Sequence, residues 1–226
     1  MDSGNIGFVL LCAAFVFVMT PGLAMFYGGL VRKKNVVNTM MTSIFIIGIG
    51  IVMWVLFGYS LSFAPSGNAF IGDFRWLGLE GVSLTEGYTD GASIPNMVFS
   101  AFQMMFAVIT PALITGAVAG RMKFKSIFVF TIFWSLIVYY PLAHMVWGQG
   151  GLLGADGIGA LDFAGGDVVH ISSGVSALVL CILLGKRHDY EHSIYRIHNI
   201  PTVVLGASLL MFGWFGFNAG SALAAD

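Results

Sequence analysis

One histidine within apolar sequence is the first residue of this chain that could do chemistry. His170 follows a Gly-rich stretch at 148–166 and lies in a run that is apolar enough to cross a bilayer. An ionisable side chain at membrane depth is costly and usually faces a pathway or a cavity. A neutral imidazole offers one donor and one acceptor nitrogen, so it can exchange hydrogen bonds or a proton with a small polar solute. The alternative is a hydrogen bond between two neighbouring helices.

Trp147 directly precedes the same Gly-rich stretch, and Asp162 lies within it. An aromatic face attracts a partly desolvated cation by about 0.5–2 kcal/mol, and Trp is the best ring for this purpose. Trp147 could equally belong to an aromatic belt at the membrane interface. Asp162 precedes a predicted helix start, where its carboxylate could accept backbone N–H bonds from the turn at 164–166. Its charge would also favour a cation on that side of the membrane.

Composition places these residues in an integral membrane protein. Of 226 residues, 58% are hydrophobic and 9% are charged, against about 25% charged in an ordinary soluble domain. No basic face suited to nucleic acid exists. Cys12 and Cys181 both fall in apolar segments, where a thiol behaves as a small hydrophobe and indicates nothing about the redox compartment. We expect no cofactor and no metal site.

Six segments are long enough to cross about 30 Å of hydrocarbon. They lie near residues 6–30, 36–63, 94–120, 126–147, 164–185 and 200–223. Nine of the ten basic residues fall on one side of this arrangement, and nine of the eleven acidic residues fall on the other. The positive-inside rule therefore predicts an outer N-terminus in a multi-pass protein of the cell membrane. The acidic outer face would concentrate cations, although topology alone would also produce it.

Helix breakers occur in the first and last segments. Thr20-Pro21-Gly22 lies at the middle of the first, and a Gly-rich run at 213–221 lies in the last. Interrupted helices at corresponding positions point to an inverted-repeat transporter, although Pro21 could be only a kink. Under this hypothesis the first five-helix repeat covers about 1–190 and a second begins at about 198–226. The segment 64–93 is expected to pack on the outer surface rather than to form a domain.

Five runs carry a family resemblance. They are PGLAMFYGGLVRKKN at 21–35, AFQMMFAVITPALITGAVAGR at 101–121, HMVWGQGG at 144–151, DFAGGDVVHISSG at 162–174 and GWFGFNAGSA at 213–222. These runs closely resemble the ammonium transporter family, Amt/Rh. The resemblance implies an all-α polytopic membrane protein of eleven helices in inverted repeats, assembled as a homotrimer. Residues 1–226 would form an incomplete transmembrane domain of about the first half, and the second pore histidine would lie beyond it.

The resemblance also implies roles for particular residues. An external recruitment site would be built by Trp147, Phe106 and Ser221. Below it, Phe106 and Phe217 would form a gate of two phenyl rings. Phe102 lies one helical turn from Phe106 and is expected to line the vestibule. Asp167 stands where the family usually carries Thr, and it would either add negative charge beside the path or cap the fifth helix.

These roles together describe a mechanism for moving ammonium and ammonia. NH4+ would be recruited at the aromatic site, lose its proton near the gate, and pass as NH3 along an apolar pore lined by His170. K+ has no proton to lose, so it would pay the whole cost of desolvation. The implied partners are ammonium or ammonia, the lipid bilayer, two further copies of the chain and a PII-type regulatory protein on the cytoplasmic face.

Three other functions stay open at this stage. A receptor could bind ammonium without conducting it and signal through a domain beyond residue 226. A pore of this kind could also carry another small neutral molecule such as CO2. Finally, His188-x-x-Glu191-His192 matches the H-x-x-E-H pattern of a zinc peptidase. This motif lies in a short basic loop with no evident third ligand, so we predict that the protein is not an enzyme.

Overall fold

Six long helices make up the computed structural model, which describes residues 1–65, 68–155, 157–187, 190–191 and 194–226. They are α1 (Ser3–Leu30), α2 (Lys33–Phe63), α3 (Asn96–Val118), α4 (Phe124–Trp147), α5 (Gly166–Leu184) and α6 (Ile200–Gly220). Each is long and apolar enough to cross a membrane. Over the described residues the chain is all-helical, which confirms the predicted fold class and all six predicted spans.

Side-chain caps fix two of the helix starts. The carboxylate of Asp2 accepts the N–H of Asn5 at 2.8 Å, so α1 begins three residues before the span that hydropathy predicts. Asn199 accepts the N–H of Thr202 at 3.1 Å and is followed by Pro201 in the first turn of α6. Proline suits the first turn because the N–H that it lacks would have had no partner within the helix.

The interruption expected in α1 and α6 is wrong, because both helices are continuous. Pro21 lies inside α1, and the glycines of α6 instead allow the two helices to approach closely. A Cβ on Gly206 would lie 2.6 Å from the carbonyl oxygen of Gly22, and one on Gly216 would lie 2.6 Å from that of Cys12. Small residues thus serve tight packing of α6 on α1, as they do at other membrane helix interfaces.

α3 lies at the centre of the described bundle. It contacts α1, α2 and α5, and its side chains are the most buried of the six helices. The end of α4 and the start of α5 meet α3 near Phe106, and α6 brings Phe217 to the same place. Four helices therefore hold the residues that the sequence singled out.

Three of the helices contain a π-helical turn. These turns cover Trp54–Gly58 in α2, Ser135–Tyr139 in α4 and Gly166–Ile171 at the start of α5. In the last of them, the N–H of His170 donates to the carbonyl oxygen of Gly165, five residues back, at 3.0 Å. The wide turn thus sets the direction in which the first part of α5 presents its side chains.

The described residues of the segment 64–93, which are all but 66 and 67, pack on the ends of the helices. The ring of Tyr88 stacks on that of Phe99 with centroids 4.7 Å apart and planes 4° apart. Gln149 donates its backbone N–H to the Tyr88 hydroxyl at 3.1 Å and its side-chain amide to the Tyr88 carbonyl oxygen at 2.9 Å. This loop therefore closes over the start of α3 and the turn after α4. We call this side of the bundle, which carries Asp2, the N-terminal face.

Candidate functional site

A cavity of about 250 Å³ opens on the N-terminal face. Its wall is formed by Tyr88, Thr89, Phe99, Gln103, Phe106, Trp147, Phe163, Ser221 and Leu223. The structure thus brings together Trp147, Phe106 and Ser221, which come from three different helices or helix ends. The wall is largely aromatic, and its polar groups are few, which is typical of a binding site for a small solute.

Hydrogen bonds orient two of these groups toward the cavity. The indole Nε1 of Trp147 donates to the carbonyl oxygen of Asp162 at 2.8 Å, and the ring meets Phe106 at a centroid distance of 6.1 Å and an angle of 86°. The hydroxyl of Ser221 donates to the carbonyl oxygen of Phe217 at 2.8 Å. The Ser221 lone pairs therefore remain as acceptors, and the Trp147 and Phe106 rings lie in the wall, where aromatic rings attract a cation.

Two buried phenyl rings separate the cavity from His170. Phe106 and Phe217 are 1% and 2% exposed, and their centroids lie 4.4 Å apart. The imidazole of His170 follows, 5.9 Å from Phe217 and inclined by 25°. Four rings thus form a continuous row in the order Trp147, Phe106, Phe217 and His170. An apolar partition of this kind is costly for a charged solute and much less so for a neutral one.

His170 has a second aromatic neighbour that the sequence reasoning missed. Trp214 lies 5.7 Å from the imidazole at 23°. It precedes Phe217 by three residues on α6, so its position on the same helix face was available from spacing alone. Within the described part of the chain, the ring nitrogens of His170 have no hydrogen-bond partner. Nothing there supports the alternative of a hydrogen bond between helices.

Asp162 receives four backbone N–H groups at the start of α5. Its Oδ1 accepts from Gly165 at 2.5 Å and Gly166 at 2.8 Å, and its Oδ2 accepts from Asp167 at 2.8 Å and Val168 at 3.0 Å. These are N–H groups that a helix start otherwise leaves unpaired. The carboxylate therefore anchors the turn that carries the pore candidate.

Asp167 contributes its backbone to this cap rather than its side chain. The carboxylate that caps α5 is that of Asp162, so the structure does not support capping by Asp167. The Asp162 backbone also holds Trp147 through its carbonyl oxygen. One residue consequently links the aromatic wall of the cavity to the turn that positions His170.

Phe102 does not occupy the position that the resemblance implied. It is fully buried and packs its edge against Phe106 at a centroid distance of 5.0 Å. Phe102 therefore supports the gate ring from behind and does not line the cavity. Among the wall residues that sequence reasoning missed, burial raises the pKa of the Tyr88 phenol to about 12, so this ring is neutral at physiological pH.

The histidines of the H-x-x-E-H motif, His188 and His192, lie outside the described residues. Glu191 is described, and its carboxylate pairs with the Lys186 ammonium at 3.1 Å. Among the residues that the structure describes, no group of three or more His, Cys, Asp or Glu side chains could hold a metal ion. No observation therefore favours a peptidase.

Comparisons with known proteins agree on one family. A profile described as the Ammonium Transporter Family matches residues 7–226. The ammonium transporter of Bacillus subtilis is 53% identical over 100% of this chain and 54% of its own length. The crystal structure of Saccharomyces cerevisiae Mep2 superposes with a TM-score of 0.88 at 38% identity, covering 100% of this chain and 50% of that one.

A structure titled Sensor Amt Protein is also similar, with a TM-score of 0.84 at 29% identity, over 99% of this chain and 56% of that one. The chain thus spans about half the length of the curated relatives and solved structures that it matches. The family profile nevertheless covers nearly all of the present residues, and the resemblance drawn from the sequence runs is confirmed. The chain belongs to the ammonium transporter family.

Proposed function

We propose that this chain forms the solute-selecting part of a protein that transports ammonium or ammonia across a membrane. The observation that carries the proposal is the row of four rings from Trp147 to His170. It joins a cavity suited to a cation to a titratable group across a buried phenyl pair.

Recruitment is the first step of the proposed mechanism. The ring faces of Trp147 and Phe106 attract NH4+, and the lone pairs of Ser221 accept one of its N–H groups. Because the phenyl pair excludes water, the full charge is poorly tolerated beyond this point. Loss of a proton near Phe217 yields NH3, which fits an apolar passage.

His170 takes the second step. Its imidazole stacks beside Phe217 and has a free ring nitrogen that can accept a hydrogen bond or the released proton. Transfer of one proton from NH4+ to that nitrogen leaves NH3 and an imidazolium. A partner histidine in the remainder of the protein would share the proton, and the neutral pair is restored when that proton is either carried across separately or returned to the outer side. K+ cannot follow this route, because it has no proton to release.

The surrounding architecture belongs to the same proposal. Residues 1–190 form the first five-helix repeat, and residues 198–226 open the second, in a homotrimer of eleven-helix protomers. The N-terminus lies outside the cell membrane, and a PII-type regulatory protein binds the cytoplasmic face. The charge distribution supports the orientation, since basic residues concentrate between α1 and α2, α3 and α4, and α5 and α6.

Replacement of His170 tests the mechanism. In the full-length protein, His170→Ala is expected to abolish selective uptake of ammonium and of methylammonium while leaving assembly and expression unchanged. His198→Ala is the matched control, because that side chain is exposed in the segment before α6. Its backbone N–H donates to the carbonyl oxygen of Val31 at 3.1 Å, and the substitution retains this bond. Ammonium-driven and potassium-driven currents in proteoliposomes are the measurement. Unaltered ammonium flux in His170→Ala would refute the pore role.

A sensor is the second candidate function. The similarity to the Sensor Amt Protein structure favours it specifically. A sensor would bind ammonium in the same cavity but conduct little or none. Saturable ammonium binding with neither current nor uptake of ammonium in the proteoliposome experiment would select the sensor over the transporter.

A further inference from the structure

Gln103 is a polar residue of the cavity wall for which the mechanism above has no use. Its side-chain oxygen is buried and has no hydrogen-bond partner among the residues that the structure describes. Gln103 lies four residues after Phe99 and three before Phe106 on α3, and all three line the cavity. A buried acceptor without a partner is destabilising. Its place beside a cavity therefore suggests that the partner is the molecule that fills the cavity.

The three groups that the proposed mechanism assigns to recruitment leave one requirement of the solute unmet. Trp147 and Ser221 use their own hydrogens on backbone carbonyl oxygens. They and Phe106 can therefore present two ring faces and one hydroxyl acceptor to a cation. Ammonium carries four N–H groups in a tetrahedral arrangement, so these three partners leave one N–H without an acceptor. A carboxamide oxygen is a suitable fourth partner.

We infer that the carboxamide oxygen of Gln103 accepts the fourth N–H of ammonium in this cavity, which makes Gln103 a specificity-determining residue. This inference rests on the proposed function. The terminal torsion of a glutamine has a broad two-fold profile, so rotation about it presents either the nitrogen or the oxygen to the cavity. A cation favours the orientation with the oxygen toward the cavity, where that acceptor has a partner.

The Gln103 oxygen should distinguish solutes that a ring face alone would bind with similar affinity. Methylammonium has three N–H groups and can direct its methyl group at Gln103, so it gains little from this oxygen. K+ gains from ring faces and oxygens without any directional preference. Loss of the Gln103 oxygen should therefore weaken capture of ammonium more than capture of methylammonium.

Three substitutions in the full-length protein test the inference. Gln103→Met removes the acceptor at similar volume, and it should raise the half-saturating concentration of ammonium about tenfold with little change in saturated current. The half-saturating concentration of methylammonium should change less than about threefold. Gln103→Glu retains an oxygen at the same reach and can add a negative charge, so it should not weaken ammonium capture. Gln103→Asn keeps a carboxamide but withdraws its oxygen by one methylene. Its half-saturating concentration of ammonium should therefore resemble that of Gln103→Met. This variant tests the lost oxygen without introducing an apolar side chain.

The readout is the concentration dependence of currents in proteoliposomes for both solutes. Equal changes for ammonium and methylammonium in Gln103→Met and Gln103→Asn would overturn the inference. Equal losses in Gln103→Met and Gln103→Glu would also overturn it, because they would indicate packing rather than hydrogen bonding. A parent protein that carries neither solute would refute the proposed function, and this inference with it.

Discussion

Removal of the Asp162 carboxylate should weaken the start of α5 in proportion to the hydrogen bonds lost. Each Asp162 oxygen accepts two backbone N–H groups. Asp162→Asn keeps one acceptor oxygen and replaces the other by a donor, so two of the four bonds are lost. Asp162→Ala loses all four. At about 1 kcal/mol net for each bond, the expected destabilisation is roughly 2 kcal/mol for Asn and roughly 4 kcal/mol for Ala.

Thermal unfolding of the purified full-length protein measures this effect. The relatives are about twice as long as this chain. For a protein of that length 1 kcal/mol corresponds to about 1–2 °C, so the expected falls in Tm are about 2–4 °C and about 4–8 °C. Transport should decline in the same order, because the cap positions His170 and the Asp162 backbone holds Trp147. Glu80→Gln is the matched control, since it removes one charge from an exposed residue of the same face.

The relative Tm values of the Asp162 variants distinguish capping by the carboxylate from a purely electrostatic role. If Asp162 acted only by its charge at a distance, Asn and Ala would have equal effects, and Asp162→Glu would behave as the parent does. Equal Tm values for Asn and Ala, or a Tm for both within a degree of the parent, would refute the capping argument.

Two further perturbations follow from the geometry. Trp147→Leu should reduce ammonium flux at low concentration more than at saturation, because it removes a cation-attracting ring face. The dependence of uptake on ammonium concentration measures this effect. An equal loss at all concentrations would indicate misfolding instead. Gly206→Val should destabilise the α1–α6 contact by at least about 1–3 kcal/mol, because its Cβ would meet backbone atoms of Gly22 and Phe26. Gly48→Ala, with nothing within 4 Å of its Cβ, should leave thermal unfolding almost unchanged, and equal Tm losses in the two glycine variants would contradict the packing argument.

Hydropathy was sufficient to predict the six spans, because a bilayer allows few backbone arrangements other than apolar helices. The sequence runs were likewise sufficient to predict that Trp147, Phe106 and Ser221 share a cavity. The continuity of α1 past Pro21 was not predictable, since it depends on how neighbouring helices accommodate the missing N–H. A glycine in a sequence shows only that the helix there can either bend or pack closely on a neighbour. In this structure the glycines of α6 serve close packing on α1.

The errors at the site have a similar physical origin. Helical spacing places Phe102 and Phe106 on one side of α3, but it cannot show that Phe102 is covered by Gly220 of α6. The unpaired oxygen of Gln103 is invisible in a sequence, because hydrogen-bond satisfaction depends on neighbours from other helices. The π-helical turns leave no periodic signal, and they are recognised only from hydrogen bonds that join residues five apart.

The turn at Gly166–Ile171 makes the length of this segment as important as its composition. A π-helical turn accommodates more residues than an α-helical one, so deletion of a single residue there could restore an ordinary helix without breaking it. Each residue of an α-helix advances the chain by about 100°, and everything on one side of the deletion would rotate by that amount relative to the other. The imidazole would then leave its place beside Phe217 although every neighbouring side chain was preserved. Among relatives of this protein, insertions and deletions should therefore be rarer in this short interval than substitutions.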